Sequence, residues 1–218
     1  MELNKIQLYR MTHIQNIPHI LQYGITHKNS PNRNSEYKDI GDGSLINNRN
    51  TKKKQVNNGN YNNKDCATIV LGDFIPFYFD VKMPMLFVIQ KGGNFVKNQT
   101  QPNEIIYLVC SLEKIVQSDF LFYFSDAHAN DNFSSLYDKT QIDKINDILD
   151  WKAIKAPDWG GDGNMDTKHK KQAEFLLKND LPPEYISKYG CFNELTKKQL
   201  IEMGIPAAQV KVNQNAYF

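Results

Sequence analysis

At 218 residues the chain is long enough to bury a full core as one domain. Its formal net charge of +2 is too small to imply a polyanion partner for the whole molecule, so any nucleic-acid surface has to be local. Three cysteines (Cys66, Cys110, Cys191), odd in number and without a C-x-x-C pair, argue against a disulfide framework or zinc ribbon and fit a reducing cytoplasm. With no basic-then-apolar leader and no run of about 18 apolar residues, a soluble cytoplasmic protein is expected.

In chain order, Ile6 to Ile14 alternates apolar and polar residues and predicts a first strand. Asn16 is placed to cap the helix that follows, Pro18 is tolerated in its first turn, and Gly24 suits its stop. This strand-turn-helix unit gathers Thr12, His13 and Asn16 at one strand end, a cluster suited to holding a polar ligand. From Asn29 to Lys64 the composition shifts to eleven asparagines, few apolar residues and the run Lys52-Lys53-Lys54. That reads as a long polar loop, with Leu45 and Ile46 able to anchor a short helix bearing Arg49.

Structure resumes with an aromatic strand over 69–80, in which Pro76 argues for an edge or bulge. Pro84 opens a short helix ended by Gly92-Gly93. The continuous apolar run Ile105 to Cys110 predicts a central strand, followed by a helix from about Leu112 to Gln117. Phe120 to Phe124 is a further strand with Ser125 to Asn130 as a polar turn at its end. Ile142, Ile145, Ile148 and Leu149 mark a helix capped by Thr140, and Trp151 and Trp159 flank a Gly/Asp loop. That loop leads to the strand Phe175-Leu176-Leu177. Last come a strand over 186–192, a helix over 194–203 and a strand over 210–212. Strands with short helices between some of them, mostly not alternating, define an α+β domain. Without G-x-G-x-x-G, a Walker loop or H-E-x-x-H, dinucleotide-fold dehydrogenases, P-loop enzymes and zincins fall away.

Glu174 stands at the mouth of the Phe175 strand, where a carboxylate must reach solvent or find a partner. A solvated strand-end charge is the plain reading; a catalytic carboxylate facing a cleft is the sharper one.

The segments Tyr9-Arg10-Met11-Thr12-His13-Ile14-Gln15-Asn16-Ile17, Asn29-Ser30-Pro31, Asp73-Phe74-Ile75-Pro76-Phe77-Tyr78-Phe79, Pro84-Met85-Leu86 and Lys171-Gln172-Ala173-Glu174-Phe175-Leu176 decide between them. In this order, over nearly the whole chain, they resemble the DarT family of single-stranded-DNA ADP-ribosyltransferase toxins, although Gln15 stands where the family pattern has an aspartate. The resemblance implies a split-sheet ADP-ribosyltransferase fold that takes NAD as donor. It implies that Thr12, His13, Asn16, Ser30 and Arg49 bind the cofactor, and that the segment from Asn29 onward covers it. Glu174 and Arg49 would carry the chemistry, with Arg33 the other arginine to weigh. The acceptor would be a thymidine or guanosine base of single-stranded DNA. No metal is implied, a monomer is expected, and a macrodomain-type antitoxin would be the partner.

The chemistry agrees. Loss of nicotinamide develops positive charge on the ribose, which a carboxylate stabilises, and a guanidinium held close stabilises a base that has given up its proton. Aromatic platforms beside basic residues suit a single strand, which points to Tyr78, Lys82, Met85, His128, Lys52, Lys53 and Lys54. A relative acting on RNA or protein, or a silent single-strand-binding module, are the alternatives.

Overall fold

The computed structural model describes residues 1–57, 67–92, 96 and 98–218. Cys66, Gly93 and residues 58–64 of the expected loop lie outside the described residues. In chain order the elements are β1 (Gln7–His13), α1 (Ile17–Tyr23), α2 (Gly43–Arg49), β2 (Lys53–Asn57), β3 (Thr68–Val70), β4 (Phe74–Tyr78) and α3 (Pro84–Lys91). There follow β5 (Ile105–Ser111), α4 (Leu112–Val116), β6 (Phe122–His128), β7 (Leu136–Asp138), α5 (Ile145–Ile148), α6 (Trp151–Ile154) and α7 (Met165–Lys171). The chain ends with β8 (Ala173–Lys178), β9 (Ile186–Cys191), α8 (Glu194–Glu202) and β10 (Val210–Val212).

Among the described residues the strands lie in the order β10-β9-β5-β1-β4-β8-β6-β7-β2-β3. Only β10 with β9 and β2 with β7 run parallel. β1 pairs with β5 over its whole length but meets β4 at one register position, Tyr9 opposite Tyr78. The sheet is therefore split between β1 and β4, as the α+β split-sheet expectation required.

Pro76 is a correction: β4 lies inside the sheet, between β1 and β8, not at an edge. A strand residue's N–H and C=O point to the same side, and the Pro76 carbonyl accepts a hydrogen bond from Arg10 Nη1 at 3.0 Å, on the β1 side. The missing N–H thus faces the split, where there is no ladder to break.

The largest cluster packs Leu8, Phe77, Leu108, Phe124 and Phe175, all buried, with Ile17 and Ile20 of α1 and Ile145. α1 stops at Gly24, as expected, with φ at 76°. A Cβ there would stand 2.0 Å from the Leu181 carbonyl oxygen, so the position demands glycine twice over.

Other boundaries moved. The Asn16 side chain does not cap α1; its amide is committed elsewhere, as described below. Asp138, not Thr140, caps the helical segment after β7, accepting from Thr140 N at 2.9 Å. The expected turn at 125–130 is mostly strand: β6 continues through a register shift to His128, which pairs with Ala173. Within the expected polar loop, α2 forms with Asp42 as its side-chain cap, and β2 adds a strand between β7 and β3. α7 fills part of the Gly/Asp loop and delivers the chain directly into β8.

Candidate active site at the split of the sheet

Glu174 is buried, 1% exposed, on the second residue of β8. One oxygen, Oε2, takes a 2.8 Å hydrogen bond and ion pair from Arg49 Nη1. The other, Oε1, accepts from Ala129 N at 3.0 Å, with His128 Nε2 3.8 Å away. The backbone of Glu174 donates to Ser125 Oγ, and that hydroxyl donates in turn to Ala127 O. The register shift in β6 brings these groups together: pairing with β8 is interrupted between Phe124 and His128, and just beyond it the Ala129 N–H meets the carboxylate.

Arg49 arrives at the end of α2, 125 positions earlier in sequence, with its side chain 14% exposed. Its Nη2 is buried and has no hydrogen-bond partner among the described residues. A guanidinium is never uncharged in a protein, so an unsatisfied buried N–H beside a carboxylate is an expensive feature that a ligand oxygen would relieve. Arg33, by contrast, is exposed.

Tyr78 pairs with Glu174 across β4 and β8, so both side chains leave the same face of the sheet. Burial, with the Glu174 charge adding to it, raises the Tyr78 phenol well above its usual range and keeps it a neutral donor. Burial likewise lowers the His128 imidazole below its ordinary value, against the opposing pull of Glu174.

Thr12, His13 and Asn16 are all buried at the end of β1. Asn16 Nδ2 donates to Thr12 Oγ1 and to Lys38 O, both at 3.0 Å, and Asn16 Oδ1 accepts from Lys38 N at 2.8 Å. The amide thereby fastens the polar segment to the sheet. His13 Nδ1 accepts from Gln15 N, and its Nε2 lies 3.6 Å from Glu104 Oε1. Burial lowers its pKa more than Glu104 raises it. Ser30 donates to Asp180 Oδ2 at 2.5 Å and lines an open cleft of about 450 Å³ with His27, Asp73, Lys178 and Asp180. Thr12 instead borders a narrow cavity with Arg10, His19 and Tyr37.

Lys82 and Met85 are half-buried around the start of α3. Lys52 reaches Asn132 Oδ1 at 2.5 Å and Lys53 is exposed. Lys54 corrects the reading of that run as a set of phosphate contacts. It is buried, and its ammonium donates to Asp131 O, Ser134 O and Ser134 Oγ at 2.6, 2.6 and 3.0 Å. All three donors are committed, so Lys54 clamps the turn after His128. Sequence reasoning also missed Ser125, Ala129 and Lys171. The last is buried, with Nζ 2.7 Å from Ile154 O and 3.7 Å from Asp80 Oδ2. Its place in a charged run at the end of α7 gave no sign of that.

Among the described residues no group of three or more His, Cys, Asp or Glu is disposed to hold a metal ion. No helix among them is long and apolar enough to cross a membrane.

A split sheet with a buried carboxylate and guanidinium paired beside the split fits an ADP-ribosyltransferase. The family model described as DarT, ssDNA thymidine ADP-ribosyltransferase, matches residues 9–218, and the chain belongs to that family. A DNA ADP-ribosyl transferase of Escherichia coli O127:H6 (strain E2348/69 / EPEC) is 31% identical over 198 residues, which cover 90% of this chain and 84% of that one. A DNA ADP-ribosyl transferase-DNA ADP-ribosyl glycohydrolase fusion protein of Thermosipho africanus (strain H17ap60334) is 25% identical over 83% of this chain and 41% of its own. Among solved structures, Thermus sp. 2.9 DarT in complex with ADP-ribosylated ssDNA superposes with a TM-score of 0.79 at 24% identity, over 97% of this chain and 96% of that one. The same protein in complex with NAD+ gives 0.74 at 23% identity, over 97% of each chain. At these identities the superpositions establish the fold.

Proposed function

We propose that this chain transfers ADP-ribose from NAD to a thymidine base of single-stranded DNA, as the toxin of a toxin–antitoxin pair. The observation that carries the reading is the buried Arg49–Glu174 pair, with one guanidinium nitrogen left unsatisfied among the described residues. NAD supplies an activated ADP-ribosyl group whose bond to nicotinamide breaks as the base attacks.

The residues act on the charge this reaction develops. Glu174, held by Arg49 and the Ala129 N–H, presents negative charge from a fixed position where the ribose becomes positive. Arg49 keeps one N–H free for the acceptor base and stabilises the negative charge left when that base loses its proton. Tyr78 and His128, both kept neutral by burial, flank the carboxylate and bound the place where a base enters. Thr12 and His13 line the donor side, and Asn16 acts through its hold on Lys38, closing the polar segment over the donor. Ser30 ties the start of that segment to Asp180. Lys82, Met85, Lys52 and Lys53 contact the strand around the target.

The fused glycohydrolase of the Thermosipho relative supports a macrodomain-type antitoxin that removes the mark. The enzyme acts as a cytoplasmic monomer, and guanosine is the second target to test. Incubating the protein with labelled NAD and separate DNA, RNA and protein acceptors tests the reading. Label should enter single-stranded thymidine-containing DNA; label confined to RNA or protein would replace the proposal by that acceptor class.

A further inference from the structure

Phe87, Trp159 and Phe218 form a cluster that the chemistry above leaves unused. Their ring centroids lie 5.3–6.1 Å apart, and every pair is edge-to-face, at 84–90°. Phe87 is 42% exposed, on the outward side of α3 and two residues after Met85. Trp159 and Phe218 are half-buried. Two ammonium groups sit over these rings: Lys82 Nζ is 5.1 Å from the Phe218 centroid and Lys168 Nζ is 5.6 Å from that of Trp159. Packing explains only part of this, because Phe218 rests on the cluster of Leu86 and Ile89 while Phe87 keeps its outer surface in water.

Two features identify what covers it. The patch is continuous with the proposed strand-binding wall, since Lys82 belongs to both and α3 carries both Met85 and Phe87. Trp159 lies on the loop before α7 and Lys168 on α7 itself, which leads into β8 and so to Glu174. Aromatic faces with lysines at their margin complement an unstacked base and its phosphates. We propose that Phe87, Trp159 and Phe218 form a stacking platform for a base flanking the modified one, with Lys82 and Lys168 holding the adjoining phosphates. This rests on the reading of the chain as a single-stranded-DNA transferase. It makes the platform the part of the enzyme that favours a strand over a lone nucleotide. Asp158 and Asp162, exposed on the same loop, limit the phosphate contacts to the lysine side. Stacking therefore contributes more of the affinity than charge.

The test uses two ten-nucleotide DNA acceptors with the same central thymidine, one intact and one with abasic sugars at every other position. Phosphates are equal in both, and only the first has bases to stack. Wild-type protein should show a higher kcat/KM on the intact strand. Trp159→Ala and Phe87→Ala should shrink that preference by roughly 5- to 150-fold, the range of one lost base–aromatic stack. Trp159→Phe should retain most of it, and Lys168→Gln should weaken both acceptors alike. Because an alanine variant can lose its fold, tryptophan emission of the wild-type protein gives an independent measure: the intact strand should quench it, and Trp159→Phe should remove the quenched part.

Equal preference in wild type and variants, or quenching that survives Trp159→Phe, would overturn the platform while leaving the DNA-transferase reading in place. So would concentration-dependent self-association abolished by Phe87→Ala, which would assign the patch to a second copy of the chain. If neither strand is modified and label enters RNA or protein, the underlying reading has failed, and the platform with it.

Discussion

Glu174 and Arg49 are 125 positions apart in sequence and 2.8 Å apart in space, and the chemistry proposed above rests on that contact. A buried ion pair is poor evidence of stability, since taking two charges out of water offsets much of their attraction. Its retention in an apolar strand is better explained by chemistry. Glu174→Ala should lower transfer to single-stranded DNA by about 100- to 1,000-fold or more, because the charge that stabilises the developing positive ribose is gone. Circular dichroism and thermal melting should show a folded protein, as Arg49 can reach water from its 14% exposed position. A variant keeping more than roughly a tenth of the activity would remove Glu174 from the mechanism. His128 makes a prediction about pH. Its pKa is depressed in the fold from 6.5, first by burial, so its contribution to stability is fully present above 6.5 and fades as pH falls toward the folded value. Between about pH 7 and pH 5 the wild-type Tm should fall more than that of His128→Asn, by roughly 1–4 °C. His13, also depressed, is common to both proteins and cancels in the difference. Parallel pH curves for the two would contradict this account of His128.

At the scale of elements, the placement of Arg49 depends on how α2 is held. Its start is fixed by the Asp42 cap, and its end is crossed closely by the turn at Gly72. A Cβ at Gly72 would lie 2.7 Å from Asn50 Cα and 2.8 Å from Arg49 O, both backbone atoms with no rotamer to adopt. Gly72→Ala must therefore push the end of α2, and Arg49 with it. Displacing a catalytic group by even about 1 Å typically costs on the order of 100-fold. The expectation is a kcat lower by roughly 10- to 100-fold with a Tm loss of only a few degrees. Gly163→Ala is the matching control, because a Cβ there would meet nothing among the described residues within 4 Å. Equal kinetics for the two variants would show that α2 adapts to the crowding. The clamps of Asn16 on Lys38 and of Lys54 on the 131–134 turn belong to the same scale. Each anchors a polar segment that has little apolar surface of its own to bury.

Over the whole molecule the charge is nearly balanced, so binding of a polyanion must come from a few placed groups. A base whose pairing edge is hidden in a duplex has to be extruded before it can react, whereas an unpaired one is presented directly. Single-stranded oligonucleotides should be modified far faster than the same sequence annealed to its complement, and equal rates on both would mean that the site does not read an exposed base edge. Apparent affinity should fall with salt along a shallow slope, on the order of two to four phosphate contacts. With Lys54 committed to Asp131 and Ser134, the proposed reading leaves those contacts near the target to Lys52, Lys53 and Lys82. Replacing Lys52 and Lys53 by glutamine should reduce the slope without changing the base selected.

What the residues determined by themselves is whatever depends on neighbours along the chain. The apolar runs of β5 and β8, the stop at Gly24 and the short helix ending at Arg49 were all legible, because strand and helix periodicity and positive-φ glycine act locally. The motifs that carry the family resemblance are likewise contiguous, and they named Glu174. Only the tertiary structure decided which groups Glu174 would meet. β2 is short and lies in the stretch that reads as polar loop until β3 and β7 supply its ladders. Pro76 reads as an edge residue until the split in the sheet gives its missing N–H nothing to face. Lys54 reads as a surface charge until oxygens 77 and 80 positions away enclose its ammonium. In each case the deciding term is desolvation of a polar group, and its sign depends on partners that the chain brings close only when folded.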